Sequence, residues 1–427
     1  MITVEEHRDA VLAAVPRLPA RDVPLADALG CVLAEDVIAD LAVPPFDNSA
    51  MDGYAVRAAD VAAASRESPV RLRVVADLPA GSGDRPEVHP GTAVRIMTGA
   101  PVPPGADAVV PVEQTDQRAG PGSGSALPEV VEIRSPAVPG AHVRRAGDDV
   151  TPGAVVVPAR IELRPRDLST AASTGHGTLP VQPRVRLGVL STGTELVPPG
   201  APLAHGQIPD SNSVLVAALA ETLGATAVPL ETVDDDPATL RRRLQESLGR
   251  VDAIVTTGGV SAGAYDVVKE VLAPLGEVAF TAVAMQPGKP QGFGVLDDDG
   301  RGVPIFCLPG NPVSVFVSFV VFVEPALRVM AGRGTTAEPQ TLQPLLVEAT
   351  VAAGWRCPAG RRQYMPVVLD DRTDDDGTLV LLARPASAGG SGSHLVASLA
   401  EADGLAIVES DVEAVAEGDV VTVMMVP

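Results

Sequence analysis

The chain has 427 residues, 46% of them hydrophobic, with a formal net charge of −22 and a pI of about 4.6. At roughly 150 residues per domain, that length suggests about three domains, with two to four all reasonable. The charge repels nucleic acid and anionic membranes at long range, and 3% aromatic content leaves few rings for stacking bases, so neither is an expected partner.

Cores must be built from Ala, Val and Leu, and any anionic ligand needs a local positive field. Three cysteines, Cys31, Cys307 and Cys357, lack a Cys-x-x-Cys pair, and six scattered histidines lack a His-Glu-x-x-His. Neither a disulfide framework nor a structural zinc is expected. Residues 1–14 have no apolar signal core; Thr3 and Glu6 form a capping box that predicts a helix. The expectation is a soluble, cytoplasmic protein.

Residues 23–40 read as a short mixed segment, followed by the loop Pro44-Pro45-Phe46-Asp47-Asn48-Ser49. Short apolar runs between Pro and Gly over 71–150 predict a β-rich domain, with a Gly/Ser/Pro-rich surface loop at 118–128. From about Arg184 the pattern alternates strand and helix. Strands are predicted at 186–190, 251–256 and 303–308. Helices are predicted at about 211–223 (capped by Asp210 or Ser211 and closed by Gly224), 238–248 (opened by Pro237), 266–272 and 313–330. The fold class is therefore α/β plus β: a doubly wound, mostly parallel α/β domain with flanking β-rich domains. The uncharged stretch 302–323 is long enough to span a membrane, but Pro304, Pro309, Gly310, Asn311 and Pro312 divide it into a buried strand and a buried helix. The tail from about Thr341 to Val426 reads as a small β domain.

In open parallel sheets ligands bind at the carboxyl ends of strands, where three loops carry polar or glycine chemistry. Ser191-Thr192-Gly193-Thr194-Glu195 offers hydroxyls, a glycine turn and a carboxylate suited to a metal, and also reads as a plain loop. Thr257-Gly258-Gly259-Val260-Ser261-Ala262-Gly263-Ala264-Tyr265-Asp266 leads into a helix and forms a candidate phosphate site. Asp266 either caps that helix or holds Mg²⁺ against a phosphate, and Lys269 adds charge one turn on. Pro309-Gly310-Asn311-Pro312 places an N-cap and a first-turn proline at a third helix start. Only Lys269 and Lys289 are lysine among 32 Lys plus Arg, and Lys289 sits in the stiff turn 286–290. No Walker A sequence and no Gly-x-Gly-x-x-Gly after a strand is present, which disfavours a dinucleotide oxidoreductase.

Four motifs in order, Pro-Pro-Phe-Asp-Asn-Ser-Ala-Met-Asp-Gly-Tyr-Ala (44–55), Arg-Ile-Met-Thr-Gly-Ala-Pro-Val-Pro (95–103), Gly-Gly-Val-Ser-x-Gly-x-x-Asp (258–266) and Leu-Pro-Gly-Asn-Pro-Val-Ser (308–314), give a resemblance across nearly the whole chain. The sequence resembles the molybdopterin molybdenumtransferase family, which includes the gephyrin-like C-terminal domains. The resemblance implies an elongated homodimer of four-domain subunits. It also implies Mg-dependent insertion of molybdate into adenylylated molybdopterin, with release of AMP. It divides the chain into a discontinuous N-terminal domain (1–45 and 145–180), a β-rich domain (46–144), the α/β domain (181–333) and a C-terminal β domain (334–427). Family functional positions fall on Asp52, Thr98, Glu195, Asp235, Asp266, Pro309 and Pro312. Glu195 and Asp266 are then the expected Mg²⁺ ligands. Asp52, Thr98, Asp235 and Asp266 are the expected catalytic set, with Asp52 and Thr98 reaching the cleft across the dimer. Ser191, Thr192, Gly193, Gly258, Gly259, Ser261, Gly263, Lys269, Lys289, Pro309, Gly310, Asn311 and Pro312 are expected to hold the substrate. Gly392-Ser393-His394 also looks family-like. Many relatives carry two lysines before the Pro-Gly-Lys turn; here Ala282 and Gln286 stand there, with Lys289, Arg361 or Arg362 as candidates to compensate. Other expected partners are the adenylyltransferase and molybdoenzyme apoproteins. The alternative readings are the adenylyltransferase itself, which is usually a single small domain, and a catalytically reduced binding scaffold.

Overall fold

The computed structural model describes residues 1–117, 126–230, 236–260, 267–273, 278–334, 342, 344–373, 377, 379–387, 392 and 395–426. The surface loop expected at 118–128 lies largely outside them.

Strand and helix alternate from Arg186 as the apolar runs require. In chain order the elements are β1 (Arg186–Ser191), α1 (Ser211–Thr222), β2 (Thr226–Pro229), α2 (Pro237–Leu248), β3 (Ala253–Thr257), α3 (Val267–Leu272), β4 (Val278–Ala282), β5 (Pro290–Asp298), β6 (Arg301–Leu308) and α4 (Pro312–Met330). The sheet order is β2-β1-β3-β6-β5-β4. The first four run parallel, whereas β5 pairs antiparallel with β6 and β4 antiparallel with β5. The residues of β3 are all buried, because helices cover both faces of a parallel strand. Asp210 and Asp236 cap α1 and α2 through the backbone amides of Ser213 and Thr239.

At the amino ends of the strands, the carboxylate of Asp252 accepts from the Arg186 guanidinium at 2.7 and 3.0 Å, and from the Arg186 amide at 2.9 Å. Arg301 adds a bond to the Val251 carbonyl. That network pins one end of the sheet and leaves the carboxyl ends for the site.

Helix α4 is long and apolar enough to cross a membrane by composition, yet 94% of its apolar window is buried inside the protein. It shifts to π-helical winding over Phe319–Val323. The capping box of Thr3 and Glu6 starts a helix at Val4–Ala14, as expected. That helix packs on α4 and shares its core, with the His7 ring edge-on to Phe322 at 4.7 Å between centroids. Burial there pushes the His7 pKa down to about 4. The first helix therefore shares the core of the α/β domain.

That next segment forms a small sheet from Arg21–Pro24, Thr178–Gln182 and Val32–Leu33, covered by a helix at Pro165–Ser173. Arg184 and Arg333 tie it to the α/β domain by donating to the consecutive carbonyls of Leu29 and Gly30, at 3.0 and 2.7 Å. The β-rich region is a five-stranded sheet ordered Ala108–Pro111, Gly53–Val56, Thr92–Ile96, Val70–Leu78 and Val130–Ile133. Its two faces carry separate cores, with Ala93 on one and Val94 and Ile96 on the other. Gly53 is required by close packing, since a Cβ there would stand 2.0 Å from the Val110 carbonyl oxygen.

The tail is a closed barrel. Arg362–Thr373, Leu379–Pro385, Leu346–Val351, Val420–Met425 and Gly404–Val408 pair in turn, and the last pairs back with the first. Met285–Gln286, from the α/β domain, adds in parallel to Arg362–Gln363 at the barrel edge. Arg362 reinforces the junction by bonding Glu5 of the first helix and, at 2.9 Å, Glu409 of the barrel. Burial opposes its charge, but the two carboxylates outweigh burial and hold the guanidinium above its ordinary pKa.

Candidate functional site

The loops after β1, β3 and β6 meet in one cleft of about 820 Å³ at the carboxyl ends of the strands. Thr192, Gly193, Glu195, Gly258, Gly259, Lys289 and the run Pro309–Pro312 all line it.

The packing explains the glycines. Gly258 has φ +92, and a Cβ there would stand 2.8 Å from the Thr192 carbonyl oxygen. Gly310 backs directly onto it, 3.5 Å from its own notional Cβ to the Gly258 Cα. The three loops therefore touch backbone to backbone, and at Gly258 only a missing side chain permits the approach. The Gly258 amide is consumed in this packing, donating to the Leu308 carbonyl at 3.1 Å. The amides of Gly193, Gly259 and Gly310 have no partner among the described residues and remain available to an anion at the cleft.

Below the loops, polar side chains fix the floor. The Ser191 hydroxyl is buried among Ser213 Oγ at 2.7 Å, Thr257 Oγ1 at 3.0 Å and Asp210 Oδ1 at 3.1 Å. Ser191, for which a ligand-binding role was expected, holds β1, β3 and α1 together and does not line the cleft. Asn212, from the first turn of α1, donates through Nδ2 to the Gly310 carbonyl at 2.7 Å and joins the third loop to the first. Its Oδ1 is buried without a partner. Asp210 and Asn212 both border the cleft, yet in the sequence they read only as helix-start residues.

Cations come from two directions. Lys289 lies in a turn with Gly288 at φ +101, braced by Gln291 Nε2 donating to the Gly288 carbonyl and to Ser318 Oγ at 2.6 and 2.7 Å. Arg361 reaches the cleft from the barrel. Neither side chain has an ion pair or hydrogen bond among the described residues. Arg362 points the other way, to Glu5 and Glu409, so of the two arginines only Arg361 faces the cleft. Lys269 is exposed on α3 and does not line the cleft; a helix of one and a half turns carries its side chain outward.

Mg²⁺ can be tested against these residues. No cluster of three or more carboxylate, histidine or cysteine ligands exists among the described residues. Glu195 is exposed, and its carboxylate folds over Gly193, its Oε atoms 2.6 and 2.7 Å from where a Cβ would stand. The Gly193 position is thus a cradle that any side chain would fill. One carboxylate at the rim of an anion site fits Mg²⁺, which keeps waters and is shared with substrate phosphates. Asp235, Ser261, Gly263 and Asp266 lie outside the described residues, as do Ser393 and His394, whereas Gly392 lines the cleft. Asp52 and Thr98 are exposed in turns beside the β-rich sheet and do not line this chain's own cleft. They bind each other, with the Thr98 amide and hydroxyl donating to Asp52 Oδ1 at 2.7 and 2.8 Å.

The three cysteines are free. Burial pushes the Cys307 thiol to about 12, so it is an unreactive core residue.

A crevice of amides and cations at the ends of parallel strands, joined on one side by a barrel, defines a multidomain α/β protein with a cleft suited to an anion. Comparisons with known proteins narrow the class. Residues 2–175 match the MoeA N-terminal region (domain I and II), 188–329 a probable molybdopterin binding domain and 348–426 the MoeA C-terminal region (domain IV). The chain is 44% identical over 424 residues to molybdopterin molybdenumtransferase 2 of Mycobacterium tuberculosis (strain H37Rv), covering 98% of each. It is 34% identical to the molybdopterin molybdenumtransferase of Haemophilus influenzae, covering 99% of this chain and 98% of that one. A crystal structure of a molybdopterin biosynthesis MoeA protein from Pyrococcus horikosii superposes with a TM-score of 0.73 at 31% identity, covering 100% and 99% of the two chains. The chain belongs to the MoeA family of molybdopterin molybdenumtransferases.

Proposed function

We propose that this enzyme inserts molybdate into adenylylated molybdopterin, yielding molybdenum cofactor and AMP. The observation that carries the reading is the convergence on one cleft of three amides and two cations without partners among the described residues. In a chain of charge −22, such a convergence has a use only if an anion binds there. Gly193, Gly259 and Gly310 would take the phosphoanhydride, with Thr192 and the Pro309–Pro312 turn shaping its bed. Lys289 and Arg361 would draw molybdate toward the pterin and balance the oxyanion. Glu195 and Asp266 are the residues that would hold Mg²⁺. Bound there, the ion would offset negative charge as the phosphoanhydride breaks. Asp235 is assigned to the same reaction by its motif position. Asp52 and Thr98 are assigned to the cleft of a second copy in a cytoplasmic homodimer, since neither lines its own. The division into 1–45 with 145–180, 46–144, 181–333 and 334–427 is part of the proposal.

Single-turnover AMP release tests the reading. Purified protein with adenylylated molybdopterin and Mg²⁺ should release AMP only when molybdate is added, with molybdenum retained on the pterin. Release without molybdate, or pterin that stays bound with no release, overturns it; the latter outcome is that of a binding scaffold. Asp266→Ala should abolish release, and retained release would remove the metal assignment.

A further inference from the structure

A buried polar side chain lies beneath the lysine turn. Gln291 is the second residue of β5, a strand between β4 and β6, and is 2% exposed. A glutamine so placed costs stability unless its amide is engaged, and an aliphatic residue would fill an inner strand without that cost. Its Nε2 donates to the Gly288 carbonyl at 2.6 Å and to Ser318 Oγ, on α4, at 2.7 Å. Ser318 is itself wholly buried. Gly288 packs against the same hydroxyl, since a Cβ there would stand 2.9 Å from Ser318 Oγ. Gly288 and Lys289 line the cleft, whereas Gln291 and Ser318 do not.

This brace sets the direction of a peptide. The Gly288 carbonyl is drawn into the core. The bond from Gly288 to Lys289 is trans and planar, so its N–H points the opposite way, to the cleft side. The Lys289 carbonyl is withdrawn as well, accepting from the Val283 amide at 2.8 Å. The Lys289 amide has no partner among the described residues. Two consecutive carbonyls, which would repel an anion, are therefore spent inside the protein, and an N–H, which attracts one, is left at the cleft. The same turn then presents both a backbone donor and an ammonium.

We infer that the Lys289 amide is a further backbone donor of the anion site, and that Gln291, steadied by Ser318, is the positioning residue that aims it. The inference rests on the anion cleft argued above and adds a determinant of it that lies outside its lining.

The full chain and its variants are titrated with adenylylated molybdopterin by calorimetry and melted in parallel. Gln291→Met keeps the length of the side chain and cannot donate to Gly288. Its affinity should fall about tenfold, the loss expected for one misdirected hydrogen bond to a charged ligand. Ser318→Ala removes the other bond of the same nitrogen and leaves the Gly288 carbonyl held. It should lower Tm comparably and keep affinity within about twofold. Lys289→Ala deletes the ammonium and retains the amide, so Gln291→Met should cost about tenfold in that background too. Gln291→Asn, whose carboxamide falls one methylene short of Gly288, should show the same loss if the methionine variant does not fold. Equal weakening by Gln291→Met and Ser318→Ala overturns the inference, because the brace then contributes only packing. A Gln291 effect that vanishes in the Lys289→Ala background also overturns it, because the brace then places the ammonium alone. AMP release measured on the unaltered chain separates the two readings. Release by a chain whose Gln291 variants bind as tightly as the original sinks the positioning role alone, and tight, Gln291-dependent binding without release sinks the proposed reaction alone.

Discussion

Gly258→Ala is the sharpest probe of the cleft, because the structure sets the size of the insult. The new Cβ would lie 2.8 Å from the Thr192 carbonyl oxygen and 3.2 Å from its Oγ1, while ordinary contact begins near 3.4 Å. Relief needs a shift of about 0.6 Å between the first and second loops. The carbonyl cannot swing away freely, because the Thr192 amide is bonded to the Thr257 carbonyl at 3.1 Å. A side chain at φ +92 adds about 1–2 kcal/mol of backbone strain. For a domain of roughly 150 residues that lowers Tm by about 2–8 °C. Misplacement by about 1 Å costs near 100-fold in rate, so a shift of half that size predicts about a tenfold loss in molybdate-dependent AMP release. Gly310→Ala is the matched control. Its Cβ would meet the Gly258 Cα at 3.5 Å, an ordinary contact at a residue without positive φ, and activity should stay within about twofold. If the two variants lose activity and Tm equally, the argument from loop contact is wrong.

Three other outcomes follow from the same geometry. His7 is neutral in both states above its unfolded pKa of 6.5; below it the unfolded chain takes up a proton that the buried ring resists, so stability falls as pH drops from 6.5 toward about 4, by up to ~3 kcal/mol. His7→Leu should remove that part of the pH dependence in urea unfolding, and identical slopes in the two proteins would refute the burial argument. Lys289→Ala and Arg361→Ala should each weaken adenylylated molybdopterin about tenfold in calorimetry, with Lys289→Arg recovering part of the loss; unchanged affinity would remove both from the site. Arg362→Ala should cost about 1 kcal/mol, a modest figure because Glu5 and Glu409 are partly exposed, and a double-mutant cycle with Glu5→Gln should give coupling of similar size. Additive effects would show that the bridge contributes nothing.

The elements β1, α1, α2 and β3 were legible because each carries its own local signal, whereas the four-residue β2 went unread. Buried parallel strands must be continuous apolar runs, and Asp210, Asp236 and Pro237 mark helix starts by satisfying or lacking backbone donors. Local chemistry also fixed the capping box at Thr3 and Glu6 and the break before α4. The helix at Pro165–Ser173 went unread although it carries a proline in its first turn and a capping Asp167, because nine residues give a weak periodic signal. Which loops meet was a different question. A glycine-rich loop looks the same whether its amides are free, as at Gly259, or spent on a neighbouring strand, as at Gly258. A hydroxyl such as Ser191 looks like a ligand until three neighbours enclose it. Arg361 and Arg362 are adjacent and chemically identical, yet one faces the cleft and the other the Glu5–Glu409 bridge. Sequence determined the elements, since propensity, capping and burial act within a few residues. Tertiary structure decided the site, since free donors and opposed side chains depend on contacts between segments far apart in the chain.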